Sequence, residues 1–67
     1  MASVARVTEI SAISEQSFED AIRVAVERAS QTLRNLQSAW VKEQEVEING
    51  DKITGYKVNL QVTFVLE

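Results

Sequence analysis

An α+β fold of order β-α-β-β, with one amphipathic helix packed on a three-stranded antiparallel sheet, is predicted by three patterns in this 67-residue sequence. A β-branched stretch opens the chain, apolar residues then recur at spacings of three and four, and two segments of period two follow around an Asn-Gly turn. Each pattern places one part of the fold.

The first strand is predicted over Val4 to Ile10, where Val4, Val7, Thr8 and Ile10 favour extended backbone. Ser11 to Gln16 reads as a polar turn, and Ser17 with Asp20 has the spacing of a helix cap and its acidic partner, so a helix starts near Phe18. Phe18, Ile22, Ala25, Ala29, Leu33 and Leu36 form one apolar stripe, which predicts a helix of about five turns. Glu19 precedes Arg23 by the four residues of a favourable helix ion pair, and Arg34 suits the negative end of the helix dipole. Val24 and Val26 widen the stripe beyond what a small sheet covers, which points to contact with another subunit.

Period two takes over from Ser38 to Ile48 and again from Tyr56 to Leu66, and Asn49-Gly50-Asp51-Lys52 between them supplies a hairpin turn. In the last strand Tyr56, Val58, Leu60, Val62, Phe64 and Leu66 face the core, while Lys57, Asn59, Gln61 and Thr63 face away. That second face is polar but mostly uncharged, which suits a wet, hydrogen-bonded interface or cavity between subunits. One helix leaves the other sheet face and both sheet edges open, a further sign of assembly.

Composition narrows the function classes. The chain has 45% hydrophobic and 25% charged residues, two Gly and no Pro, which is the profile of a folded domain. It lies below the roughly 70–80 residues at which one core supplies more than about 3–5 kcal/mol. With no Cys and no His there is no disulfide, no zinc-thiolate site and no imidazole base, so oligomerisation is the remaining source of stability. The serines at 11, 14, 17, 30 and 38 lack a histidine, and the lysines at 42, 52 and 57 lack a motif around them, so an enzyme is not expected. Seven basic and ten acidic residues give a formal charge of −3, which offers no field for a nucleic-acid backbone. No apolar run approaches a membrane span, and Met1-Ala2-Ser3-Val4-Ala5-Arg6 lacks the layout of a secretory signal, so a soluble, cytoplasmic protein is expected.

Two features could carry ligand chemistry. Glu43, Glu45 and Glu47 alternate along the second strand and so share one face, where oxygen ligands suit a hard cation such as Ca²⁺ or Mg²⁺. The plain alternative is a solvated acidic stripe, although repetition around a symmetry axis turns such a stripe into rings of carboxylates. Trp40, the one tryptophan, shares its predicted face with Ser38, Lys42 and Gln44. A ring among polar neighbours either packs in an interface or stacks on a flat ligand.

The run Ser17-Phe18-Glu19-Asp20-Ala21-Ile22, then Ala25-Val26-Glu27-Arg28-Ala29, Thr32-Leu33-Arg34-Asn35-Leu36, Glu43-Gln44, Tyr56 and the ending Phe64-Val65-Leu66-Glu67, closely resembles the dodecin family. The resemblance implies a single dodecin-like domain over residues 1–67 and a hollow homododecamer built from trimers. It also implies storage or sequestration of a flavin, riboflavin or FMN, as the bound cofactor. In flavin-binding dodecins a Trp early in the second strand stacks on the isoalloxazine ring, and a Gln early in the third bonds its polar edge. In register those positions are Ser38 and Lys57 here, and Trp40 stands two residues along on the same face, about 7 Å away. Trp40, Ser38, Lys57 and Gln44 are therefore the expected flavin-site residues, and the Lys57 ammonium is expected to favour a ligand carrying an anionic group. Family members that lack the Trp and bind calcium make Glu43, Glu45 and Glu47 the competing site, for Ca²⁺ or Mg²⁺.

Overall fold

A computed structural model describes residues 2–66, so Met1 and the Glu67 of the quoted C-terminal run lie outside the described residues. Strand β1 (Ala5–Ser14) leads into helix α1 (Phe18–Thr32), and strands β2 (Leu36–Asn49) and β3 (Lys52–Val65) follow. All pairings are antiparallel and the sheet order is β1-β3-β2, so the strand with the cleanest alternation is the central one. The Cα trace is a slab, 52 Å long and 13 Å in its thinnest direction.

The core is a thin layer between α1 and β3. Val58, Leu60 and Val62 on β3 and Ala21, Ala25 and Ala29 on α1 are its buried apolar residues. The alanines let the helix approach the sheet closely. Ile10, Ala12, Phe18, Ile22, Leu36 and Val41 pack around this centre, and the Phe18 and Tyr56 rings meet edge to face at 5.2 Å, pinning the first helical turn to β3.

The helix is shorter than its apolar stripe. Leu33 has φ −110° and ψ 135°, which is extended backbone, and Asn35 has φ 62°, the left-handed region that Asn tolerates better than most residues. Leu33 and Leu36 thus keep the apolar spacing without being helical: Leu36 packs on the core as a strand residue, beside Phe64 of β3. Arg34 lies beyond the helix, which has no basic residue in its last turn. Arg23 pairs with Asp20 at 2.6 Å and with Glu27 at 3.0 Å rather than with Glu19.

At the other helix end Ser17 caps as expected, its hydroxyl accepting from the Asp20 N–H at 2.9 Å. The Asp20 carboxylate does not return to the Ser17 backbone; it accepts from the Ser14 hydroxyl at 2.7 Å, and that same hydroxyl accepts from Gln16 N–H. Ser14 therefore belongs to β1, which runs four residues past Ile10 because Ser11 to Ser14 keep pairing with β3, as far as Tyr56. Strand β3 likewise begins at Lys52, leaving Gly50 and Asp51 as a two-residue hairpin turn with Gly50 at φ 70°. Leu66 falls beyond β3 and is exposed rather than in the core.

Candidate ligand-binding face

The face of the sheet away from α1 is set by β3, where Lys57, Asn59, Gln61 and Thr63 alternate with the buried residues. Cross-strand partners share a face, so the register assigns its neighbours. From β1 come Val7 beside Thr63, Glu9 beside Gln61, Ser11 beside Asn59 and Ile13 beside Lys57. From β2 come Ser38 beside Thr63 and Trp40 beside Gln61. Trp40 is 62% exposed, so it stands on this face in water instead of packing into the core.

Between Val41 and Glu43 the register shifts by one, with Lys42 the extra residue. The shift reverses the alternation that simple counting predicts for the rest of β2. Glu43, Glu45 and Glu47 stand opposite Asn59, Lys57 and Gly55, and so join Trp40 on the open face. Gln44 stands opposite buried Val58, on the helix side, which corrects the expectation that it shares the Trp40 face. Lys42 does reach the open face, because its Nζ lies 3.3 Å from Glu9 Oε1 on β1, with β3 in between.

The polar groups are paired across strands. Asn59 Nδ2 donates to Glu43 Oε1 at 3.1 Å, and Lys57 Nζ lies 3.5 Å from Glu45 Oε1. A cleft of about 130 Å³ between these pairs is lined by Glu43, Gln44, Glu45, Lys57 and Asn59. Next to it Gly55 permits a close approach: a Cβ there would lie 2.9 Å from Ile13 Cδ1 and 3.3 Å from Glu47 Oε1. The three glutamates are spaced along the strand, and among the described residues no three His, Cys, Asp or Glu side chains converge as a cation cage.

A larger cavity lies elsewhere, a groove of about 510 Å³ between α1 and β1 whose lining includes Ile10, Val24, Arg28 and Leu33. It presents no aromatic ring. The only exposed ring plane with amide neighbours is at Trp40 among the described residues. The cleft beside it is well below the roughly 300–1,000 Å³ of an enclosed ligand pocket, so one copy of the chain offers a surface and not a closed site. Sequence reasoning brought Trp40, Ser38, Lys57 and the three glutamates to attention, and the structure gathers them on one face. It missed Glu9, whose alternate position in β1 was the available signal.

This β-α-β-β unit with its strand order β1-β3-β2 is matched among known proteins, and the family profile for dodecin covers residues 4–67. The chain belongs to the dodecin family. The dodecin of Thermus thermophilus is 39% identical over 67 residues, spanning 100% of this chain and 97% of its own length. The structure of dodecin from Streptomyces coelicolor superposes with a TM-score of 0.91 at 37% identity, covering 97% of this chain and 93% of that one. A third dodecin, the calcium-chelating immunodominant antigen of Mycobacterium tuberculosis called calcium dodecin, superposes with a TM-score of 0.83 at 33% identity, again over 97% of this chain and 93% of that one. The dodecin fold thus accounts for nearly every residue present.

Proposed function

We propose that this chain is a non-catalytic dodecin that binds and stores a flavin, riboflavin or FMN, on the open sheet face of a hollow, cytoplasmic homododecamer built from trimers. The observation that carries the reading is Trp40, 62% exposed on the open sheet face and directly opposite Gln61, with Ser38 and Thr63 on the same face. A flat heteroaromatic ring stacked there gains about 1–3 kcal/mol. The residues suit the group. Gln61 and Thr63 have side chains that donate and accept, as the polar edge of an isoalloxazine requires, and they share the face with the ring plane. Ser38, two residues before Trp40 on the same face, is small enough to leave room beside the ring. A bound flavin would supply its own redox chemistry, and the chain's part is to hold and shield it.

Assembly is supported by the same geometry. A thin core, open edges at β1 and β2, and a monomer cleft too shallow to enclose a ligand all favour closure by further copies of the chain. No described helix is long and apolar enough to cross a membrane. The direct test is the visible absorption spectrum of freshly purified protein combined with native mass spectrometry. Flavin bands on a twelve-copy species are the expected result. A colourless protein that takes up neither riboflavin nor FMN on incubation would overturn the reading.

A second reading rests on the shared face of Glu43, Glu45 and Glu47, and on the relative named as a calcium dodecin. In it, symmetry copies bring the carboxylates together around Ca²⁺ or Mg²⁺. Within one chain Glu43 and Glu45 are held by Asn59 and Lys57, which weighs against them as a cation site of the monomer.

A further inference from the structure

Both lysines on the open face are masked by carboxylates, and from this we infer the ligand class: an uncharged flavin of the riboflavin type, in preference to one bearing a phosphate. The inference rests on the flavin reading of the Trp40 face given above.

Lysine at position 57 suggests an anion site when the sequence is read alone. In the fold its ammonium lies 3.5 Å from Glu45 Oε1, and the other cation of the face, Lys42, crosses β3 to lie 3.3 Å from Glu9 Oε1. Neither is left as a lone positive charge for a phosphate to meet. The face as a whole carries an excess of carboxylates: Lys42 and Lys57 stand against Glu9, Glu43, Glu45 and Glu47. Glu43 and Glu45 line the polar cleft on the same open face as Trp40.

A phosphate monoester brings about −1.5 to −2 charges near pH 7. It gains nothing from a cation already paired, and it is repelled by the surplus carboxylates. A ribityl chain ending in a hydroxyl suffers neither effect, and its hydroxyls can donate to Glu43 and Glu45. The lysines and glutamates are half-exposed, so the repulsion is moderate and sensitive to salt. Glu45 therefore acts as a specificity residue by occupying Lys57.

The test titrates riboflavin and FMN against the assembled protein by quenching of flavin fluorescence, at about 20 mM and about 500 mM NaCl. Riboflavin is expected to bind about tenfold more tightly than FMN at low salt, with the gap narrowing at high salt. Glu45→Gln, which frees Lys57, is expected to tighten FMN several-fold and so to narrow its gap to riboflavin at low salt. Equal or tighter FMN binding by the wild type would overturn the inference while leaving the flavin reading in place. A preference for riboflavin that does not change with salt would also overturn it, since the discrimination would then not be one of charge. Absence of quenching by both ligands would instead overturn the flavin reading itself. The salt comparison needs no variant, so it decides the matter even if Glu45→Gln fails to fold.

Discussion

The Ser14 hydroxyl donates to the Asp20 carboxylate at 2.7 Å, tying the last residue of β1 to the first turn of α1. Around this bond the Ser14 oxygen also accepts from Gln16 N–H at 2.9 Å, and Asp20 accepts from Arg23 at 2.6 Å. The connection between strand and helix is thus held by side chains.

This bond gives a pH dependence of defined sign. The Ser14 hydrogen bond, and after it the Arg23 bond, hold the Asp20 carboxyl below its ordinary pKa. A carboxyl whose pKa is lowered by folding contributes stability that is complete above the ordinary carboxylate range and is lost as pH falls through that range toward the folded value. The melting temperature should therefore drop as pH is lowered below about 4. Ser14→Ala should lower it at neutral pH and flatten its acid dependence, as thermal unfolding at a series of pH values would record. A variant with the wild-type acid slope would remove Ser14 as the cause.

A second prediction concerns the thin core. Leu60 is fully buried at the centre of β3, under the alanines of α1 and between Ile10 and Val41 of the flanking strands. Leu60→Ala should cost about 2–5 kcal/mol, read as the shift in denaturant midpoint at unchanged slope. Val62→Asp buries a charge within the apolar core cluster and should abolish folding and assembly together.

How much of this was legible in the sequence depended on what each residue signals locally. The alternation of β3 gave its two faces because period two holds without interruption from Tyr56 to Phe64. The helix end was misread because Leu33 and Leu36 keep the helical apolar spacing after the backbone has become extended, with Leu36 packed on the core, and hydrophobic spacing cannot distinguish the two. The bulge at Lys42 has no Gly or Pro to mark it, so counting along β2 placed Gln44 with Trp40 and the glutamates opposite, the reverse of the folded arrangement. The Lys57–Glu45 and Lys42–Glu9 pairs depend on that bulge and on the strand order, and neither is readable before the register is known.

A third prediction separates the cation reading from the flavin reading. If symmetry copies bring Glu43, Glu45 and Glu47 together, millimolar Ca²⁺ or Mg²⁺ should raise the melting temperature through binding to the assembled state, and replacing all three by Gln should erase the rise. The pairing of Glu43 with Asn59 and of Glu45 with Lys57 leads us to expect little change in the wild type. Differential scanning fluorimetry across a cation series measures this directly, and a rise of several degrees that the triple variant loses would favour the cation site.

The role of Trp40 as the stacking surface is tested by titrating riboflavin against wild type and Trp40→Ala, with fluorescence quenching as the signal and native mass spectrometry as the check on assembly. Loss of a stack worth about 1–3 kcal/mol corresponds to roughly tenfold to a hundredfold in affinity. Because Trp40 is exposed and outside the core, the assembly should keep its mass while binding weakens by at least about tenfold. Quenching that survives Trp40→Ala unchanged, or a wild type that quenches no flavin at tens of micromolar, would contradict the stacking role assigned to this residue.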